Sequence, residues 1–191
     1  MKKTLIVAGC AAIALIMGAA SVLLAVRYAG QRGWIANGAW RTNPSIGMEN
    51  LDMYSKATVA LISLMSLNRS EAIYYYTETD DSGEPLRGSC DYRIEGEDID
   101  ARWWSVSLYG SDQYLIKNSK NRFSFNRSIL RGATDGRYTV RLSSHPEEGN
   151  WLPTENEEQL YLFLRLYNPG SDVLNNPSTV RLPRIIKEAC R

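Results

Sequence analysis

Apolar residues recur at every second position over 160–167, where Leu160, Leu162, Leu164 and Leu166 alternate with Tyr161, Phe163, Arg165 and Tyr167. Strand side chains point to opposite faces in turn, so the pattern predicts a strand with leucines on one face and rings plus an arginine on the other. The same period recurs in shorter pieces. Ile73, Tyr75 and Thr77 alternate with Tyr74 and Tyr76, and further strands are expected at 90–95 and 103–109. Phe123 and Phe125 oppose Arg122, Ser124 and Asn126, and Tyr138, Val140 and Leu142 alternate. A last strand is expected at 180–186, where Pro183 confines it to an edge. Asp80-Asp81-Ser82-Gly83 reads as a hairpin turn, Thr134-Asp135-Gly136 as a second turn, and Pro169-Gly170 as a terminator. Short strands joined by such turns predict a mainly β fold, a jelly-roll-like antiparallel β-sandwich.

Two stretches break the two-residue period. Over 50–67 the residues Met53, Ala57, Leu61, Leu64 and Leu67 follow a helical period, and Val59, Ile62 and Met65 widen the apolar face. This predicts one α-helix, capped by Asn50 or Asp52 and covered on most sides by the domain. Residues 4–26 carry no charge and are framed by Lys2, Lys3 and Arg27. About 20 apolar residues cross a bilayer as a helix, while the apolar part of a cleavable signal is usually about 7–15 residues. The length favours a retained transmembrane signal anchor, with Gly18-Ala19-Ala20 as the alternative cleavage point. The leading lysines place the N-terminus inside and the body outside the cytoplasm, although Arg27, Arg32 and Arg41 weaken that bias. The expected organisation is an anchor at 1–27, a linker and approach at 28–49, and a β-sandwich domain at 50–191. Within the approach, Trp40 is expected to pack on the domain.

Composition narrows the chemistry. The formal net charge is +1, and the three cations of the first 27 residues leave the rest at −2. No basic stripe exists to hold phosphates, which excludes a nucleic-acid partner. Cys90 and Cys190 could form a disulfide outside the cytoplasm, or remain two free thiols. Cys10 follows Val7-Ala8-Gly9 as in a lipoprotein signal, but the apolar stretch before it is too short. No Cys/His cluster supports a metal site, and no glycine pattern supports a nucleotide, so no cofactor is expected.

Several longer pieces share one pattern: Trp40-Arg41-Thr42-Asn43-Pro44, Leu67-Asn68-Arg69-Ser70-Glu71-Ala72-Ile73-Tyr74-Tyr75, Arg102-Trp103-Trp104-Ser105-Val106-Ser107-Leu108-Tyr109, Tyr114-Leu115-Ile116, Asn121-Arg122-Phe123-Ser124, Asn150-Trp151-Leu152-Pro153 and Tyr161-Leu162-Phe163-Leu164-Arg165-Leu166-Tyr167. In order and spacing the chain resembles the bacterial family called domain of unknown function 1214, over roughly residues 38–183. The resemblance implies a jelly-roll-like domain in an exported or membrane-attached protein, here on the bacterial inner membrane with the domain in the periplasm. Longer members carry a second domain, numbered 1254, ahead of this one; here a membrane segment is expected in its place. The family supplies no agreed catalytic residues.

The strongest functional candidates are aromatic and basic. Trp103, Tyr109, Tyr161, Phe163 and Arg165, with Arg102 and His145, could line a ligand surface, because flat rings stack on sugars or apolar ligands and arginine supplies a fork of donors. The alternative is that Trp103 or Trp104 fills the core and Arg102 or Arg165 makes a buried ion pair. His145, the only histidine, follows Ser143 and Ser144, but chain neighbours rarely present a nucleophile to its base. Glu95, Glu97, Asp98 and Asp100 read as a solvated acidic loop rather than a calcium site. The expected function is a non-catalytic envelope module that binds a small molecule or an envelope protein. The alternatives are an envelope hydrolase or lyase acting on a carbohydrate-like substrate, and a structural homo-oligomer.

Overall fold

The structure is a computed structural model and describes residues 2–30, 33–61, 66–132 and 135–191. Its elements are α1 (Lys2–Gly30), β1 (Ile35–Asn37), β2 (Trp40–Thr42), α2 (Met53–Leu61), β3 (Ala72–Thr77), β4 (Cys90–Glu97), β5 (Ala101–Tyr109), β6 (Ser124–Asn126), β7 (Arg137–Ser143), β8 (Trp151–Pro153), β9 (Tyr161–Pro169), α3 (Ser171–Asn175) and β10 (Arg184–Cys190). The chain divides into two compact units. One joins residues 1–32 to 50–65, and the other joins 33–49 to 66–191.

The first unit is helical. Between Lys2 and Tyr28, α1 is long and apolar enough to cross a membrane, a test that a signal sequence also passes, and none of it is buried. The helix α2 begins where Asp52 Oδ1 accepts the backbone N–H of Tyr54 and Ser55, which satisfies two donors of its first turn. Its extent and setting differ from expectation. It is shorter than 50–67, with Ile62, Leu64 and Met65 lying outside the described residues, and Leu67 is not helical. Nor is it a covered core helix: Met53 and Tyr54 are exposed, and it groups with α1 rather than with the β unit.

The second unit is a sandwich of two sheets. The larger has the order β1-β2-β3-β9-β5-β6 and the smaller β10-β4-β7-β8. In the larger sheet β9 lies between β3 and β5, antiparallel to both. Leu160, Leu162, Leu164 and Leu166 are fully buried, and they pack with Tyr75, Trp104, Val106 and Leu108 against Tyr92, Ile94, Tyr138, Val140 and Leu142 of the smaller sheet. This is the leucine face that the alternation predicted. Trp40 is also core, 1% exposed, and its indole N–H donates to the carbonyl of Pro183. Residues 33–49, expected as an approach, thus supply β1 and β2 to the larger sheet.

The expected 80–83 hairpin turn forms: Gly83 N–H donates to the carbonyl of Asp80, and Thr79 and Pro85 make an antiparallel bridge across it, while the longer strands β3 and β4 on either side lie in different sheets. One local expectation changes. The smaller sheet is not wholly antiparallel, because β8 runs parallel to β7 with Arg141 opposite Trp151. A parallel neighbour normally needs a long crossover. Here the loop retraces only the two residues from Ser143 back to Arg141, roughly 7 Å of strand, so a short hook suffices. The closing strand β10 lies at an edge, as expected, but covers Arg184–Cys190 rather than 180–186, so Pro183 stands just before it.

Candidate functional site

With the leucines inward, the alternate residues of β9 necessarily occupy the outer face of the larger sheet. The register brings partners to that face from both sides. Tyr109 lies opposite Tyr161, Ser107 opposite Phe163, Ser105 opposite Arg165 and Trp103 opposite Tyr167 on the β5 side. Tyr76 lies opposite Phe163 and Tyr74 opposite Arg165 on the β3 side. The rings touch in a row across the strands. Trp34 meets the edge of Tyr76 at 5.0 Å, Tyr76 stacks on Phe163 at 6.0 Å, and Phe163 meets Tyr109 edge-on at 5.2 Å. All four are half-buried, so each ring keeps surface open to solvent.

Arg165 lies beside this row. Its guanidinium is 5.6 Å from the ring centres of both Tyr109 and Phe163, and it donates to Tyr109 Oη at 2.9 Å and Ser107 Oγ at 3.2 Å. Both acceptors are neutral, and no ion pair to Arg165 exists among the described residues. The planar fork is thereby fixed by two hydrogen bonds and two ring faces. Tyr74 closes the far side of Arg165. Its hydroxyl accepts the backbone N–H of Leu67, and burial above all raises its pKa. Burial likewise raises that of Tyr161, helped by the charge of Glu78. These phenols stay neutral hydrogen-bonding groups at neutral pH.

The expected site residues separate into groups. Trp103, Tyr109, Tyr161, Phe163 and Arg165 share the outer face, where Trp103 pairs with Tyr167 at 5.3 Å and donates to Ser128 Oγ. Arg102 has the opposite parity, at the exposed end of β5, and is not on that face. His145 follows β7 of the other sheet. It contacts Ser144 Oγ at 3.1 Å and the guanidinium of Arg191, and it is exposed. The acidic run is divided among partners: Glu95 pairs with Arg93, Glu97 with Arg137 and Arg181, and Asp98 with Arg127. Asp98 also accepts the indole N–H of Trp104. Among the described residues no group of three metal-ligating side chains converges. Cys90 and Cys190 are directly opposite in the β4–β10 ladder and are joined by a disulfide, with Cα atoms 4.0 Å apart.

Sequence reasoning omitted Trp34 and Tyr76 from the face. Tyr76 was visible in the β3 alternation. Trp34 was not, because only pairing of β1 and β2 onto β3 brings it there.

An open groove of about 1160 Å³ lies against the smaller sheet between Glu95, Glu97, Arg137, Arg141, Arg181 and Arg184. Four of its arginines are paired, for Arg137 and Arg181 reach Glu97, Arg141 reaches Glu188 at 3.3 Å and Arg184 reaches Asp81 at 3.1 Å. Exposed pairs of this kind each contribute about 0–1 kcal/mol and leave little field for a ligand.

The family model described as "Protein of unknown function (DUF1214)" matches residues 71–171, from the start of β3 to the start of α3. Among solved structures, the chain is similar to the VPA0106 protein from Vibrio parahaemolyticus, with 26% identity and a TM-score of 0.61. That match covers 73% of this chain and 36% of the Vibrio protein, so the chain spans only about a third of its length. A second similar structure is an uncharacterised protein from Burkholderia cenocepacia, with 17% identity, a TM-score of 0.48, and 92% of this chain and 42% of that one covered. No curated protein matches.

Proposed function

This chain belongs to the DUF1214 family, and on that premise we propose that it is a membrane-anchored, non-catalytic binding module of the cell envelope, with its site on the outer face of the larger sheet. One observation carries the proposal: four touching rings run from Trp34 through Tyr76 and Phe163 to Tyr109, with a rigidly held Arg165 at their side. Rings left half-exposed on a sheet surface offer stacking area to a flat ligand at little entropic cost. A catalytic reading lacks comparable support, because Arg102, His145 and the acidic residues occupy separate places. The hydroxyls of Ser107 and Tyr109 face a cation rather than a base. Attachment through α1 is supported by its length and composition, and a periplasmic address by the disulfide and the leading lysines. The jelly-roll description of the sandwich belongs to the same proposal.

The test uses the full chain in lipid nanodiscs and a set of soluble neutral and acidic oligosaccharides. Trp34 and Trp103 lie on the face, so intrinsic fluorescence reports occupancy. We expect a saturable change that Phe163→Ala abolishes without altering the thermal transition by more than a few degrees. Lack of response to every oligosaccharide would reject the sugar-binding reading. Recovery of the full chain in the soluble fraction after alkaline washing of membranes would reject the anchor.

A further inference from the structure

Acidic residues are distributed unequally between the two sheets. The smaller sheet carries Asp91, Glu95, Glu97 and Glu188 in its strands, interleaved with Arg93, Arg137, Arg141, Arg184 and Lys187. The six strands of the larger sheet contain Arg41, Arg102 and Arg165 and no Asp or Glu at all. Arg165 and Arg41 both lie on the ring-bearing face, Arg165 by its place in β9 and Arg41 by its register opposite Tyr76. Two carboxylates border the face without lying in its strands. Glu71 acts on Tyr74 and Glu78 on Tyr161. Neither forms an ion pair with Arg165 or Arg41 among the described residues.

A half-buried cation held by neutral hydroxyls and ring faces keeps its charge unneutralised, and an anion placed there gains a charge-assisted hydrogen bond at low desolvation cost. We infer that the ligand is anionic as well as ring-shaped, namely a polysaccharide of pyranose units bearing carboxylates. This rests on the aromatic face being the binding site. Three features point to this class. The rings supply platforms for sugar faces. Ser124 and Asn126 of β6, half-buried and paired with Ser107 and Ser105 of β5, supply neutral donors and acceptors for sugar hydroxyls. The four rings, with successive centroids 5.0, 6.0 and 5.2 Å apart, extend further than one sugar ring and fit a chain of them. An acyl chain fits poorly, because the rings lie half-exposed on a sheet surface. Arg165 is then the specificity-determining residue, with Phe163 and Tyr76 as the platform.

The experiment compares polyuronate oligosaccharides (of galacturonic, glucuronic and mannuronic acid) with their methyl esters, which keep the sugar chain and remove the charge. Binding to the full chain in neutral-lipid nanodiscs is measured by calorimetry at two salt concentrations. At least one acid form should bind about tenfold or more tighter than its ester. Arg165→Gln should reduce that difference to about twofold or less, Arg165→Lys should retain part of it, and Phe163→Ala should weaken acid and ester alike. Equal affinity for acid and ester in the unmodified protein overturns the inference while leaving the aromatic site standing. Absence of binding by all acids and esters overturns both. The ester comparison needs no variant, so a fold defect in Arg165→Gln does not blunt it.

Discussion

The indole of Trp104 lies stacked on the ring of Tyr138, with centroids 4.8 Å apart and planes inclined by 26°, and this contact joins the two sheets. Trp104 comes from β5 of the larger sheet and Tyr138 from β7 of the smaller. Replacing Trp104 by Ala empties the space between them and leaves Asp98 Oδ1 without the indole N–H it accepts. The expected loss is about 3–5 kcal/mol of unfolding free energy, read as a lower urea midpoint. A loss under about 1 kcal/mol would show that the sheets are held elsewhere.

The same ring explains Gly96. It stands opposite Tyr138 in the β4–β7 ladder, and a Cβ there would collide with the phenol end of that ring. The ring cannot swing away, because Trp104 is stacked on it. Gly96→Ala should therefore cost about 1–3 kcal/mol. Adding Tyr138→Leu should recover part of the loss, a coupling that a double-mutant cycle measures.

Alkaline pH should unfold the protein through its buried phenols. Burial, with a smaller push from Asp98, raises the Tyr138 hydroxyl well above the ordinary phenol range, and burial alone does the same to Tyr75. Both are neutral when folded, while unfolded tyrosine ionises near pH 10. The unfolded state therefore binds fewer protons above about pH 10, and stability falls as pH rises from there towards the folded values. The Tyr138 hydroxyl also has no hydrogen-bond partner among the described residues. Tyr138→Phe should thus change stability at neutral pH by no more than about 1 kcal/mol and flatten the alkaline decline. Urea titrations at neutral pH and near pH 11 give both readings.

Reduction should act on the edge of the smaller sheet. The Cys90–Cys190 bond closes a loop with a sequence separation of 100. Constraint of the unfolded chain by a loop of that size contributes up to about 4–5 kcal/mol. The paired Cys90→Ser and Cys190→Ser variant should lose much of this, and hydrogen exchange should rise first in β10. An unchanged melting temperature would mean that the ladder of Ile185 and Lys187 on β4 suffices.

Much of the sandwich was legible in the sequence because a strand with one buried face writes its orientation into every second residue. The leucines of β9 show this most plainly, and they also revealed the opposite face with Phe163 and Arg165. Legibility failed where a residue's environment depends on a partner distant in sequence. The apolar pattern around Met53 suggested burial in the β domain, yet α2 groups with the apolar helix α1 in the other compact unit. Arg102 sits beside Trp103 in sequence but on the other side of the sheet, since neighbours on a strand diverge. Trp34 joined the site only through the short β1 and β2 strands, which carry too few residues for a period to show.

The Trp40–Pro183 hydrogen bond spans 143 residues, and long-range ladders join β3 to β9 and β4 to β10. Pairings of that range must pay their loop-closure entropy before any contact between them is rewarded. The consequence is kinetic. Two-state β proteins of such high contact order fold in milliseconds to seconds, and until segments 40–42 and 183–190 meet their partners both sheets have unpaired backbone along their margins. A chaperone that shields strand edges would act on this protein during that interval.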